Sequence, residues 1–200
     1  MIVNEVITGI TIIIIGYLLG SVPSAYIVTR LRKSADIRQL GGGNVGATNV
    51  MHQVGIWEGA IVLAADVGKG SAAILLSEAL GASQPWLLSA GFSVMLGHCF
   101  PIYIGFRGGR GVATAVGVFL ALSPIATGIA CGIIGAMLLL SRNIFLSVVV
   151  CTPFFLLTLW LVNKSPALMV LASAIIIFMG LKSQHGLKEI MVNTARRFRP

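Results

Sequence analysis

Apolar runs long enough to cross a bilayer follow one another from Val6 to Leu181, and polar residues are confined to short breaks between them. A soluble domain of 200 residues cannot hide that much apolar surface in one core, since 56% of the residues are hydrophobic and 10% charged, with a mean hydropathy of +0.96. The bilayer must act as the solvent. The pattern predicts an all-α integral membrane protein with about seven transmembrane helices, at residues 6–28, 56–80, 86–106, 111–123, 124–140, 145–162 and 166–181. The Ser123-Pro124 step falls inside an unbroken apolar run, so a bent or short span is equally open there and the total lies between about five and seven.

Lys and Arg in short loops gather on the cytoplasmic side of a membrane. With seven spans, all of the 14 basic residues except Lys69 and Lys164 fall on one face. The N-terminus is then outside, the C-terminus is cytoplasmic, and two glycine-rich loops face the cytoplasm. The same asymmetry, with anionic headgroups as counter-charge, accounts for most of the net charge of +8, so no nucleic-acid partner is expected. Cys99, Cys131 and Cys151 stand far apart in apolar stretches and read as packing residues. The first run lacks a basic start and a small-residue cleavage site, so a retained span is expected rather than a removed signal peptide. Without repeat or linker, residues 1–200 read as a single membrane-embedded domain.

The two glycine-rich segments carry the chemistry. In GGGNVGATN, from Gly41 to Asn49, the glycines allow tight turns and close approach of main-chain N–H groups, while Asn44, Thr48 and Asn49 supply short polar side chains suited to phosphate oxygens or to capping the next helix. Neither a Walker order nor a dinucleotide fingerprint is present. In GFRGGRGVAT, Arg107 and Arg110 bracket Gly108 and Gly109 just before another apolar run, an arrangement that can clasp one phosphate or simply anchor the loop. His98 precedes Pro101 in the same stretch.

Two further features leave alternatives open. Gly20, Ser21, Pro23, Ser24 and Ala25 put small side chains and a kink near the end of the first span, for close helix packing or for a polar cavity with Tyr26. Asp66 and Lys69 share one helical face at membrane depth, as a self-neutralising pair or as a lysine aimed at an anionic substrate and held by the aspartate. No metal-ligand spacing, nucleophile elbow or acidic magnesium cluster appears, so no metal and no cofactor is expected. An enzyme of these parts would move an already activated group by positioning and electrostatics.

GSVPSAY at Gly20, GGGNVGATNV at Gly41, DVGKG at Asp66, GHCFPIYIGFRGGRGVAT at Gly97 and the Phe145-Leu146-Ser147 turn together resemble the bacterial acyl-phosphate-dependent glycerol-3-phosphate acyltransferases of the PlsY type, over most of the chain. The resemblance implies an inner-membrane enzyme that moves a fatty acyl group from acyl phosphate to the 1-position of sn-glycerol 3-phosphate, giving lysophosphatidate and phosphate, with a functional link to an acyl-phosphate-forming enzyme. It implies donor phosphate in the loop at residues 43–49, with Gly43, Gly46 and Asn49 binding and Asn44 and Thr48 as ligands. Ser147 corresponds to a polar site residue, His185 to the family's histidine, and Arg107 with Arg110 to a clamp on glycerol phosphate. The chain departs from the family where Gly42 replaces a usual serine, His52 a usual arginine, and Lys188 a usual asparagine. A divergent paralogue with changed acceptor or little activity, and a transporter or binding protein for phosphorylated metabolites, are the alternatives.

Overall fold

The computed structural model describes residues 2–183. His185 and Lys188 lie outside them. Among the described residues nine α-helices and two 3-10 turns are formed, and no strand. The chain divides into two compact units, Met1–Leu122 and Ser123–Pro200.

In the first unit, α1 (Ile2–Ser21) and α2 (Ser24–Lys33) cover the span expected at residues 6–28, and the kink expected near its end is a break at Val22 and Pro23. Pro23 has no N–H to donate and pushes Val22 out of helical geometry, so the helix stops and restarts. α2 ends at Ser34 in the left-handed region (φ 51°), with Arg30, Arg32 and Lys33 in its last turn, where cations complement the helix dipole. A 3-10 turn (Ile37–Gln39), α3 (Ala47–Gln53), α4 (Ile56–Ala79) and α5 (Gln84–Cys99) follow, then a second 3-10 turn (Ile102–Ile104) and α6 (Val112–Leu122).

Small residues set the spacing of these helices, because in lipid close backbone approach, rather than a hydrophobic drive, holds helices together. Gly16 and Gly20, four residues apart, face the Ala90 and Val94 carbonyls of α5, where a methyl group at Gly20 would have no room. Gly70 of α4 and Gly117 of α6 pair likewise, and the Ser71 hydroxyl donates to the Gly117 carbonyl at 2.8 Å. Ala25, Ile37, Val45, Val50, Val62 and Ile104 close a small apolar core beneath the loops. Large apolar side chains such as Ile7, Ile14, Leu63 and Leu75 point outward, as lipid contact requires.

The second unit contains α7 (Pro124–Ser141), α8 (Ile144–Asn163) and α9 (Pro166–Lys182). Asn143 caps α8 by accepting from the Phe145 and Leu146 amides, and Asn163 at its far end donates to Ser123 Oγ at 2.7 Å, so α7 and α8 run antiparallel. Four helical segments of the described chain have the length and apolarity to cross a bilayer unbroken, α4, α7, α8 and α5 with the turn after it, and α1 with α2 forms a fifth, kinked, candidate. The boundary between α6 and α7 falls at Ser123, where the Pro124 step was read in the sequence. α6 has 11 residues and α9 has 17, short of the usual spanning length.

Candidate functional site

The break at Pro23 opens the helix wall at the level of Asp66 and Lys69. The Val22 carbonyl accepts a hydrogen bond from Lys69 Nζ at 3.1 Å, and the same Nζ pairs with Asp66 Oδ1 at 2.8 Å. Asp66 Oδ1 also accepts from the Ser24 hydroxyl at 3.2 Å, and His98 Nδ1 stands 3.7 Å away. All four side chains are buried. Lys69 therefore pairs its charge inside the fold, with the aspartate one helical turn back and the broken end of α1. Of the three polar residues noted at the kink, Ser24 joins this cluster. Ser21 is fully buried with no hydrogen-bond partner among the described residues, and the Tyr26 ring lies under the Arg30 and Arg38 guanidinium groups.

The first glycine-rich loop is held from within. Gly43 takes a left-handed conformation (φ 70°) and its N–H bonds to the Leu40 carbonyl at 3.0 Å. Asn49, expected to meet substrate, is buried, and its side-chain amide donates to the Leu40 and Asn44 carbonyls at 3.0 Å each, so it shapes the loop. Gly46 precedes the first turn of α3, Asn44 is half-buried and Thr48 is exposed, which leaves the last two able to reach a ligand. Gly42 is exposed, as is His52 near the end of α3.

The second loop folds back on the end of α5. Gly108 N–H donates to the Cys99 carbonyl and Gly109 N–H to the His98 carbonyl, each at 3.2 Å. Gly109 is buried against two things at once. A methyl group there would lie 2.6 Å from the Val45 carbonyl oxygen of the first loop and 2.9 Å from His98 Cε1, and closer still to His98 Nε2. The two glycine-rich loops thus meet at Gly109. Arg107 is exposed and Arg110 half-buried, and neither has an ion-pair or hydrogen-bond partner among the described residues.

Beside them lies a cleft of about 420 Å³ lined by Asp36, Arg38, Gln39, Ile104, Gly105 and Arg107. Its far wall is an Asp-Arg unit that the sequence reading passed over. Arg38 pairs with Asp36 at 2.6 Å and donates to the Ile104 carbonyl at 2.8 Å, tying the chain after α2 to the chain after α5. The hydrogen bond from the Arg38 side chain holds the Asp36 carboxyl below the usual range, against a smaller opposing effect of burial. With Arg38 neutralised, Arg107 supplies the uncompensated charge of the cleft among the described residues. An i, i+2 Asp-x-Arg next to a glycine run is the signal that would have found this wall.

Ser147 sits in the first turn of α8, buried, with its hydroxyl bonded to the Asn143 carbonyl at 2.9 Å and 3.3 Å from Ser141 Oγ. It belongs to the second unit. Among the described residues no group of three or more His, Cys, Asp or Glu could hold a metal ion, and none of the three cysteines forms a disulfide.

Apolar helices joined by glycine-rich, arginine-bearing loops define an integral membrane protein. Comparison with known proteins narrows that class. The family described as Glycerol-3-phosphate acyltransferase matches residues 10–192. Similar relatives include the glycerol-3-phosphate acyltransferases of Synechococcus sp. (strain CC9902), 35% identical over 96% of each chain, and of Geobacter sulfurreducens, 32% identical over 92% of this chain and 95% of that one. The crystal structure of PlsY (YgiH), an integral membrane glycerol 3-phosphate acyltransferase, is similar in its glycerol 3-phosphate form with a TM-score of 0.87 and 30% identity over 92% of both chains. Its lysophosphatidic acid form gives 0.84 and 28%. The chain belongs to the glycerol-3-phosphate acyltransferase family.

Proposed function

We propose that this protein transfers a fatty acyl group from acyl phosphate to the 1-hydroxyl of sn-glycerol 3-phosphate. The observation that carries the reading is the meeting of the two glycine-rich loops at Gly109, beside two arginines that have no ion-pair partner among the described residues. Gly46, Asn44 and Thr48 hold the donor phosphate through main-chain N–H groups and short polar side chains, in a turn that Gly43 shapes. Arg107 and Arg110 hold the acceptor phosphate. The acceptor hydroxyl attacks the acyl carbon, the bond from that carbon to the bridging phosphate oxygen breaks, and phosphate leaves. The hydroxyl proton passes to the departing phosphate or to His185. An acyl phosphate is a mixed anhydride with a good leaving group, so neither a metal nor an enzyme nucleophile is required.

The bacterial inner membrane, with the loops facing the cytoplasm, is the setting in which both substrates meet this site, and an acyl-phosphate-forming enzyme is the functional partner. Purified protein given palmitoyl phosphate is expected to release phosphate only when sn-glycerol 3-phosphate is present, with lysophosphatidate formed in equal amount. Arg110→Ala is expected to raise the acceptor Michaelis constant by about tenfold or more. Acceptor-independent release, or an unchanged constant in that variant, would overturn the reading.

A further inference from the structure

The cluster of Ser24, Asp66, Lys69 and His98 is more elaborate than charge neutralisation needs. Asp66 and Lys69, one turn apart on α4, could satisfy each other without help. Instead one carboxylate oxygen gathers contacts from three helices: Lys69 of α4, Ser24 of α2 and His98 of α5. Lys69 adds the Val22 carbonyl at the break after α1. Buried charge at membrane depth is costly, so a network of this kind is expected to serve something beyond its own satisfaction.

What lies over it points to that service. A chamber of about 10 Å³, room for about one water molecule, is walled by Asp66, Lys69, His98 and Ser24 together with Val45 and Pro101. Val45 belongs to the first glycine-rich loop and Pro101 leads into the second. The His98 imidazole has its Nδ1 edge toward Asp66 and its Nε2 and Cε1 edge against Gly109. Main-chain bonds from Gly109 to His98 and from Gly108 to Cys99 seat the loop on the same turn of α5. Tilting the ring would therefore lift or drop Gly109 between the two arginines.

We infer that Asp66 and His98 are positioning residues for the acceptor site. The carboxylate sets the imidazole, and the imidazole sets the height of Gly109 and with it the reach of Arg107 and Arg110. This rests on the assignment of those arginines to glycerol phosphate.

The test uses the full chain in lipid or detergent. His98→Ala is expected to raise the acceptor Michaelis constant about tenfold or more, with the acyl phosphate constant and kcat within about twofold. His98→Gln, which keeps a polar nitrogen near the Nε2 position, lies between that variant and the parent. In the same proteins, amide hydrogen exchange of residues 105–112 is expected to speed up in His98→Ala. Asp66→Asn alone strands the Lys69 charge and risks misfolding, so the paired Asp66→Asn with Lys69→Gln carries that arm, with the same split expected. Ser71→Ala, a lesion of the α4 and α6 contact, should move neither constant nor the exchange. Unchanged exchange in His98→Ala overturns the inference. Faster exchange with an unmoved acceptor constant, while Arg110→Ala raises it, also overturns it and leaves the arginine assignment standing. An Arg110→Ala variant with an unmoved constant overturns the assignment instead, and exchange still decides whether His98 holds the loop.

Discussion

Gly109→Ala tests how tightly the arginine loop is seated. Carbon atoms in contact ordinarily stand about 3.5–4.0 Å apart. The added methyl would begin 2.6 Å from the Val45 carbonyl oxygen and 2.9 Å from His98 Cε1, and nearer to Nε2, so the loop or the ring must retreat by roughly 1 Å. Gly109 is not in the left-handed region, which makes this a contact effect and not a backbone one. Overpacking of this kind costs about 1–3 kcal/mol of stability. In a chain of this size that is a few degrees of melting temperature per kcal/mol. The functional loss is larger, because a misplacement of about 1 Å in a substrate clamp can lower the rate about a hundredfold.

The expected outcome is a loss of about two orders of magnitude in kcat/KM for sn-glycerol 3-phosphate, from protein that still purifies folded. Lysophosphatidate formation from palmitoyl phosphate at varied acceptor concentration measures it. Gly105→Ala is the matched control. It has a positive φ of 68° but no atom within 4 Å of the new methyl group, so it brings backbone strain without collision and should cost about 1–2 kcal/mol of stability with a much smaller loss of turnover. A Gly109→Ala enzyme within threefold of the parent would refute the argument that this seat is filled.

Two other outcomes follow from the loop chemistry. Because the Arg38 hydrogen bond lowers the Asp36 pKa in the folded state, its contribution is complete above the unfolded value of about 3.9 and is lost as pH falls through the lower folded value. The melting temperature of the parent should drop more steeply below about pH 4 than that of Asp36→Asn, and parallel curves would remove Asp36 from the account. Gly42→Ser should be accepted with a stability change within about 0.5 kcal/mol, since nothing lies within 4 Å of an added Cβ and no left-handed geometry is required. If the hydroxyl usual in the family assists turnover, this variant is more active than the parent, and a loss of activity would mean that the loop has adapted to glycine.

Much of the architecture was legible in the chain. A long apolar run must become a helix in lipid, where every backbone group has to find its partner within the segment, and this rule placed α4, α7, α8 and α9 close to their observed limits. Pro23 and Pro124 marked real breaks because the missing N–H acts locally. The glycines of the two loops announced tight turns for the same reason, and Gly43 and Gly105 take them. None of this says which residues face one another. Asn49 looked available for a ligand, yet its amide is consumed by carbonyls that only the folded loop brings near. His98 looked incidental, and Asp36 with Arg38 drew no notice.

Lys69 reads as a pair with Asp66 from spacing alone, but the Val22 carbonyl comes from 47 residues away and Ser24 from 42 residues before Asp66. Local hydrophobicity and local backbone chemistry are enough to set the solvent of each segment and the places where a helix must stop, so both are written in the chain. The tertiary structure alone decided that the two glycine-rich loops meet at Gly109 over a buried Asp66 and His98. That meeting depends on how closely α1, α4, α5 and α6 can approach, which is set by small residues on different helices acting together.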